Sequence, residues 1–280
     1  AESFLRDVLH ASTADELLRL FRAAEMPLGD MADFSGEMPT FCVVGISTRS
    51  LAMAGLLALA GCRVTLFDEK TSRLEAVRAR NGIQLFGEVN GFAAFSGVVS
   101  DVVATSDADV LIFAGHADEF SGLVERVSPH IKDGQILTVS PGRIGGAMEL
   151  AHIVHRANPN VRPYFSETQG VLCHAKVQGP ARIWVSELQT FVPFGTFPAF
   201  HATDVLPVLR KALPQLVPQE NSLKTGMEDV MGFVRGTFGF VKALRPSAPE
   251  NPEGSANHRF SAELVSVLED LDRERTAVAR

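Results

Sequence analysis

The stretch of sequence that decides the fold is residues 41–68, which read FCVVGISTRSLAMAGLLALAGCRVTLFD. Within it, the short apolar run Phe41–Ile46 predicts a strand, Thr48–Ala60 predicts a helix, and Arg63–Phe67 predicts a second strand. Parallel strands need a crossover connection, and a helix between two strands is the usual one. The sequence therefore predicts an α/β protein whose parallel sheet begins at Phe41.

The turn between the first strand and the helix, Gly45 through Ser50, resembles the glycine-rich turn that binds dinucleotides. Serines, Ser47 and Ser50, occupy the second and third glycine positions. Asp68 follows Gly45 by 23 residues, close to the ~20 expected of a carboxylate that binds a ribose. Such a turn places backbone N–H groups and a helix N-terminus against a diphosphate. The competing interpretation is a βαβ unit that only packs, with Ser47 and Ser50 as helix-start residues.

The residues predicted to contact a dinucleotide share one property, which is that they lie in or just after the turns that follow predicted strands. They are Gly45, Ser47, Thr48, Arg49, Ser50, Asp68, Arg73, Gly115, His116, Pro141 and Gly142. Asp68 favours NAD because its charge repels a 2′-phosphate, whereas Lys70 and Arg73 are able to bind one. NAD and NADP therefore both remain open as the cofactor.

Beyond Asp68, apolar runs of strand length alternate with helical stretches. The predicted elements are a helix at 71–80, a hairpin at 83–86 and 91–99, strands at 109–113, 135–139, 162–166, 171–177 and 182–185, and helices at 146–157, 204–213, 225–244 and 261–280. The predicted fold is a Rossmann-like doubly wound sheet followed by a small all-helical domain. We expect three parts, namely an N-terminal helical arm at 1–38, a dinucleotide-binding domain at 39–198, and a helical substrate or dimerisation domain at 199–280.

Composition limits the partners of the chain. Of its 280 residues 46% are hydrophobic and 21% charged, which is typical of a globular protein. The 26 Lys and Arg against 33 Asp and Glu give a formal charge of -7, which excludes a general attraction to nucleic acid or anionic lipid. No apolar run reaches the ~20 residues of a membrane helix, so we expect a cytoplasmic protein without a membrane partner. Cys42, Cys62 and Cys173 form no CxxC pair and are predicted to be reduced and buried.

The order of several segments resembles the opine dehydrogenases of the octopine and nopaline type, over residues 41–280. These segments are Leu51–Ala54, Leu59–Gly61, Ser128–Gln135, Pro141–Ala147, Ser166–Gln169, Gly179-Pro180 and Asp272–Arg275. The resemblance implies that a Rossmann-like domain binds NAD(P)H and that a helical domain closes over the substrate. It also implies the reaction, which is reduction of the imine formed between an amino acid and a 2-oxo acid.

Two departures from that family bear on activity. The family has an acid/base His on its helical domain, and the corresponding position here holds Arg235. Arginine does not exchange a proton at neutral pH, but it binds a carboxylate bidentately. The family also continues past the helix that contains Asp272–Arg275, whereas this chain ends at Arg280, so the resemblance implies a shortened helical domain. Because one side of that helix is apolar, we expect a homodimer or a partner chain to cover it, with the N-terminal arm as the alternative cover.

The predicted catalytic residues are one arginine that would bind a carboxylate of the substrate and several residues near the cleft, some of which could donate a proton. They are Arg235, Glu167, Thr168, His174 and His201. Arg235 would hold a carboxylate of a small-molecule substrate, and the proton would come from His174, His201, Glu167 or water. Glu149, His152 and His155 recur at three-residue spacing, but we interpret them as a solvated helix face and predict no metal site.

Two functions remain open from the sequence. The first is an NAD(P)-dependent oxidoreductase that reduces an imine or carbonyl of an amino-acid or 2-oxo-acid substrate. The second is a catalytically degenerate relative that binds a nucleotide or metabolite, or acts as an interaction protein. Arg235 in place of the family His favours the second, whereas Asp68, the Pro141–Gly146 turn and Glu167-Thr168 favour the first.

Overall fold

A computed structural model describes residues 38–230, 232, 234, 236, 237 and 262–278. Residues 1–37 of the predicted helical arm lie outside this part of the chain, as does Arg235. The strands of the described part are β1 (Phe41–Val44), β2 (Val64–Phe67), β3 (Gly82–Gly87), β4 (Gly91–Ala94), β5 (Gly97–Val99), β6 (Val110–Phe113), β7 (Ile136–Val139), β8 (Tyr164–Thr168), β9 (Cys173–Gly179), β10 (Arg182–Leu188), β11 (Val192–Phe197) and β12 (Leu216–Pro218). The α-helices are α1 (Thr48–Leu59), α2 (Thr71–Arg78), α3 (Phe120–Val127), α4 (Gly146–Ala157), α5 (Ala202–Arg210), α6 (Ser222–Met227) and α7 (Ala262–Val278).

The main sheet has eight strands in the order β12-β11-β8-β7-β6-β1-β2-β5. From β5 to β8 every neighbouring pair is parallel, and β11 then pairs antiparallel with β8. The carboxyl ends of β1, β2, β6, β7 and β8 therefore meet at one edge of the sheet. In open α/β sheets this edge is where ligands bind.

Successive side chains of the central strands enter two different hydrophobic cores. Phe41 and Val43 pack with α1 on one face of the sheet, whereas Cys42 and Val44 pack with α3 and α4 on the other. This alternation follows from the two-residue period of a strand. Both faces of the sheet are covered, which confirms the predicted Rossmann-like doubly wound fold.

A second sheet, which the sequence did not predict as a unit, has four strands in the order β4-β3-β10-β9 and packs on α1. Its hairpin is shorter than the predicted one because the chain leaves β4 and crosses to the main sheet. The N–H of Ser96 donates to the carbonyl of Val64, and β5 then pairs with β2. The prediction of one strand over 91–99 is therefore wrong.

The prediction that the chain is helical from His201 onward is also wrong at one point. Residues Leu216–Pro218 form β12, which pairs in parallel with β11 and extends the main sheet past residue 198. Three residues are too few to show a periodic strand pattern in a sequence. Pairing with β11 and burial of Leu216 in the core both hold this strand.

The described residues after Thr225 form a compact unit separate from those before it. In this second unit α7 contains Arg275, whose guanidinium donates to Asp272 Oδ1 over 2.9 Å and to the carbonyl of Met227 over 3.0 Å. Val265 and Val267 on α7 are exposed. The dimer expected from the apolar side of this helix stays a prediction. No helix in the described ranges has the length and apolar composition that crossing a bilayer takes.

Candidate active site

The turn after β1 depends on a glycine at position 45. Gly45 has a φ of +84°, and a Cβ built on it would lie 2.9 Å from the Cα of Gly115 in the turn after β6. A left-handed conformation and so close an approach to backbone both exclude a side chain. Gly45 and Gly115, which were predicted together, therefore bring two turns of the ligand-binding edge into contact.

Ser47 and Ser50 begin α1 as a capping box. The N–H of Ser47 donates to Ser50 Oγ over 2.6 Å, and the N–H of Ser50 donates to Ser47 Oγ over 3.1 Å. Ser47 Oγ in turn donates to the carbonyl of Ala114 over 2.8 Å. Both serines therefore act as helix-start residues, which is the competing interpretation of the sequence. Their own N–H groups are already bound within the capping box.

Two backbone N–H groups at the start of α1 remain available for a ligand. Thr48 and Arg49 lie in the first helical turn, where no intrahelical acceptor exists. None of the described residues accepts a hydrogen bond from either group. The Arg49 side chain is exposed and lines the pocket described below. This helix N-terminus therefore has the open donors and positive charge that an anion requires.

Asp68 is not exposed toward a ribose. Its carboxylate is 2% exposed, and Oδ2 accepts from the N–H of Ile46 while Oδ1 accepts from the N–H of Lys70, each over 2.8 Å. The side chain therefore ties the turn after β1 to the turn after β2. Arg73 approaches Oδ2 at 3.6 Å but binds Glu119 more closely, at 2.6 and 2.8 Å. Glu119 was missed by sequence reasoning.

Glu167 lies at the carboxyl end of β8, below the turn that precedes α4. Its side chain is fully buried, and Oε2 accepts from the N–H of Ala147 over 2.6 Å. A Cβ on Gly142 would lie 2.8 Å from the Cβ of Glu167, so this turn also needs a glycine. Oε1 has no hydrogen-bond partner among the described residues. Burial raises the pKa of Glu167 to about 7, against the opposing effects of the Ala147 N–H and the Arg143 charge.

Thr168, the next predicted residue, is also buried, and it forms hydrogen bonds to residues of the neighbouring turns. Its hydroxyl lies 2.9 Å from Ser140 Oγ and 2.9 Å from the carbonyl of Gly170. Its carbonyl accepts from the N–H of Gly142 over 2.7 Å. Thr168 therefore fixes the turn that contains Pro141 and Gly142 against the end of β8.

A pocket of about 120 Å³ opens where β1, β6 and β7 end. It is lined by Val44, Arg49, Phe113, Gly115, His116, Ala117, Phe120, Leu123, Val139, Ser140, Pro141 and Arg143. Small-molecule sites typically have ~300–1,000 Å³, so this pocket by itself is smaller than such a site. Arg143, which sequence reasoning did not select, lies 5.0 Å over the Phe120 ring and binds Glu149 at 2.9 Å.

The structure brings one of the predicted histidines to this pocket. His116 lines it, whereas His201 contacts Tyr164 at the start of β8, with ring centroids 4.9 Å apart, at the opposite edge of the sheet. His174 follows Cys173 on β9, and Cys173 faces a small cavity beside Arg49 and Pro141. Because side chains alternate along a strand, His174 lies on the other face of β9. The geometry therefore does not place His174 or His201 in the pocket.

The helix α4 carries the residues weighed as metal ligands. Glu149 binds Arg143, and the His155 ring packs edge-on against Phe165 with centroids 5.5 Å apart. Across the described ranges no group of three His, Cys, Asp or Glu side chains is arranged to hold a metal ion.

Comparison with known proteins identifies relatives of the chain, although no protein-family profile matches it. The opine dehydrogenase of Arthrobacter sp. (strain 1C) is 27% identical over 246 residues, which are 87% of this chain and 68% of that protein. An octopine dehydrogenase solved with NADH and L-arginine has a TM-score of 0.67 at 15% identity, over 86% of this chain and 64% of the other. A yersinopine dehydrogenase solved with NADP+ has a TM-score of 0.62 at 12% identity, over 82% of this chain and 61% of the other.

These findings confirm the predicted resemblance to the opine dehydrogenases, from which the sequence is divergent. The structural likenesses, at 12–15% identity, concern the fold. The chain spans less than two thirds of the length of both solved structures.

Proposed function

We propose that this chain, which is similar to the opine dehydrogenases over most of its length, is an NAD(P)-dependent oxidoreductase. Its substrate would be an imine or carbonyl compound of the amino-acid or 2-oxo-acid type. The observation that carries the proposal is the turn after β1, where Gly45 touches Gly115 and two open N–H groups face the ligand-binding edge. The close approach of the two turns and the open N–H groups of Thr48 and Arg49 fit a diphosphate.

Different residues at this edge would bind different parts of a dinucleotide. The N–H groups of Thr48 and Arg49 would bind the diphosphate, together with the Arg49 guanidinium. The pocket between β1, β6 and β7 would take the nicotinamide end, since Phe113 and Val139 give it an apolar wall. When bound, the reduced nicotinamide supplies a hydride. The cofactors in the solved opine-type enzymes, NADH in one and NADP+ in another, support the same choice here.

His116 is the residue best placed to give the substrate a proton. Of the described residues that line the pocket, only His116 is a histidine, the residue type that most often serves as a general acid or base in enzymes. Arg143 on the same rim would supply positive charge for a substrate carboxylate. Glu167 and Thr168 hold the turn that positions Arg143, and they act as positioning residues because both are buried. Arg235 stays a second candidate for the carboxylate clamp, from its position in the sequence alone.

The experiment is a fluorescence titration with NADH and NADPH, followed by an assay of NADH or NADPH oxidation with paired amino acids and 2-oxo acids. We expect saturable binding of at least one dinucleotide and turnover with a pair of small carboxylates. The His116→Gln variant should bind the dinucleotide normally and turn over at least ~100-fold more slowly, the loss typical of a missing general acid. Absence of dinucleotide binding at millimolar concentration contradicts the proposal.

The second candidate function is nucleotide binding without hydride transfer. It is favoured by Arg235, which occupies the position of the family's acid/base His and cannot replace it as a proton donor. Dinucleotide binding with no turnover on any amino-acid and 2-oxo-acid pair supports this second function.

A further inference from the structure

Three charged side chains form an ion cluster between the turns after β2 and β6. The Lys70 ammonium lies 2.5 Å from Glu119 Oε1, and the Arg73 guanidinium binds both oxygens of Glu119, at 2.6 and 2.8 Å. Glu119 ends the short 3₁₀ turn Ala117–Glu119 that follows His116. The cluster therefore spans the same edge of the sheet as the diphosphate turn, on the side of β2.

This is the side where a Rossmann-like domain holds the ribose of the adenosine half. In such domains an acid after the second strand binds the 2′-hydroxyl of NAD, or an Arg nearby binds the 2′-phosphate of NADP. Here the acid at that position, Asp68, is 2% exposed and already accepts the N–H groups of Ile46 and Lys70. Glu119 is more accessible, with 21% of its side chain exposed.

We propose that Glu119 is the specificity-determining residue that makes the chain prefer dinucleotides without a 2′-phosphate. This inference rests on the proposed function. Glu119 occupies Lys70 and Arg73, the two cations that a 2′-phosphate would need, and it presents its own negative charge where that phosphate would lie. A dinucleotide with a free 2′-hydroxyl meets no such conflict, because a carboxylate accepts a hydroxyl hydrogen bond.

The charge balance supports this assignment. Asp68 lies 3.6 Å from Arg73, and when it is counted with the three side chains of the ion cluster, two cations (Lys70 and Arg73) balance two carboxylates (Asp68 and Glu119). Hydrogen bonds from Arg73 and Lys70 lower the pKa of Glu119 to about 2, which keeps its carboxylate ionised at neutral pH. Removing the charge of Glu119 alone would leave two cations facing one buried carboxylate. An arginine released in this way is suited to bind a phosphate bidentately.

The test compares Kd values for NADH and NADPH, measured by fluorescence titration on the full chain. We expect wild-type protein to bind NADH at least about tenfold more tightly than NADPH. In the Glu119→Gln variant the affinity for NADPH should rise by about tenfold or more, while that for NADH changes less than threefold. The double variant with Arg73→Met should lose this gain, because the released guanidinium is its source.

Asp118→Asn is the matched control, since Asp118 is the exposed neighbour of Glu119 and its removal changes the net charge equally. It should leave the NADH to NADPH ratio unchanged. Adenosine 2′,5′-bisphosphate and AMP give the same comparison without the nicotinamide half. The inference is overturned if wild-type protein prefers NADPH, if Glu119→Gln leaves the ratio within twofold, or if Asp118→Asn shifts it equally. Wild-type protein that binds neither dinucleotide overturns the proposed function and this inference with it.

Discussion

Glu167 accepts a 2.6 Å hydrogen bond from the N–H of Ala147, while its other carboxylate oxygen is buried without a partner among the described residues. The bound oxygen occupies the N-terminal turn of α4, which favours a negative charge. The other oxygen is out of water, which favours a proton. Burial is the larger of these effects and raises the pKa of Glu167 from its ordinary value of 4.5 to about 7.

This pKa predicts how stability depends on pH. The folded state holds more protons than the unfolded state between pH 4.5 and about 7, so stability falls as pH rises through that window. A shift of this size corresponds to about 3 kcal/mol between the two ends of the window. The Glu167→Gln variant cannot ionise, so its free energy of unfolding should lack this loss. Urea unfolding of both proteins at pH 5, 6, 7 and 8 measures the difference, and parallel profiles would contradict the assignment.

Replacing Gly45 by Ala should impair dinucleotide binding. The added Cβ would lie 2.9 Å from the Cα of Gly115. The alanine would also have to adopt the φ of +84° of residue 45, which L-residues avoid. Gly61 is the matched control, because its φ is +88° and nothing lies within 4 Å of an added Cβ. The left-handed backbone alone should cost each variant about 1–2 kcal/mol of stability. Gly45→Ala should lose more than Gly61→Ala, because its Cβ would also overlap the backbone of Gly115. Only Gly45→Ala should weaken NADH binding, by about tenfold or more, and equal Kd values for the two variants would remove this turn from the site.

Replacing Ser50 by Ala should destabilise the start of α1. The hydroxyl of Ser50 accepts from the N–H of Ser47 over 2.6 Å and is fully buried, so its loss leaves a buried donor unpaired. We expect the free energy of unfolding to fall by about 1–2 kcal/mol, as when other helix-capping hydrogen bonds are lost. Ser121→Ala, which removes an exposed hydroxyl, should change it by less than ~0.5 kcal/mol. Chemical denaturation measures the free energy of unfolding of both variants. Equal losses would show that the capping box stabilises the fold no more than an exposed hydroxyl does.

The central part of the fold could be predicted because its signals are local. The apolar run before Gly45, the helix that follows and the acid at Asp68 are contiguous, and each element has enough residues to show its pattern. The second sheet could not be predicted as a unit, since β3 pairs with β10, whose Arg182 lies opposite Gln84. Nothing in either strand specifies a partner almost a hundred residues away.

The residues of the candidate site also divide into those that local sequence signals identify and those that only the fold brings together. Gly45, Pro141 and Gly142 could be selected from the sequence because a turn at the end of a strand has recognisable residues. Glu119 and Arg143 could not, since their importance comes from the neighbouring turns that the sheet brings beside them. Asp68 lies at this edge, but the ribose-binding role predicted for it stays a prediction, since its carboxylate is buried and accepts the N–H groups of Ile46 and Lys70.

Arg49 should matter for the diphosphate and for little else. Its guanidinium is exposed on the first turn of α1 and lines the pocket, and Ser47 and Ser50 have withdrawn two N–H groups that a glycine-rich turn would offer. A charged hydrogen bond to an anion contributes about 1.5–3 kcal/mol, so Arg49→Met should weaken ADP binding by roughly tenfold to a hundredfold. Binding of adenosine, which has no phosphate, should be unchanged. Arg63→Met is the control, because Arg63 is exposed at the opposite end of β2. Calorimetric titration of ADP and adenosine against the three proteins provides the measurement. An ADP affinity that Arg49→Met leaves intact would assign anion binding to the backbone N–H groups of Thr48 and Arg49 alone.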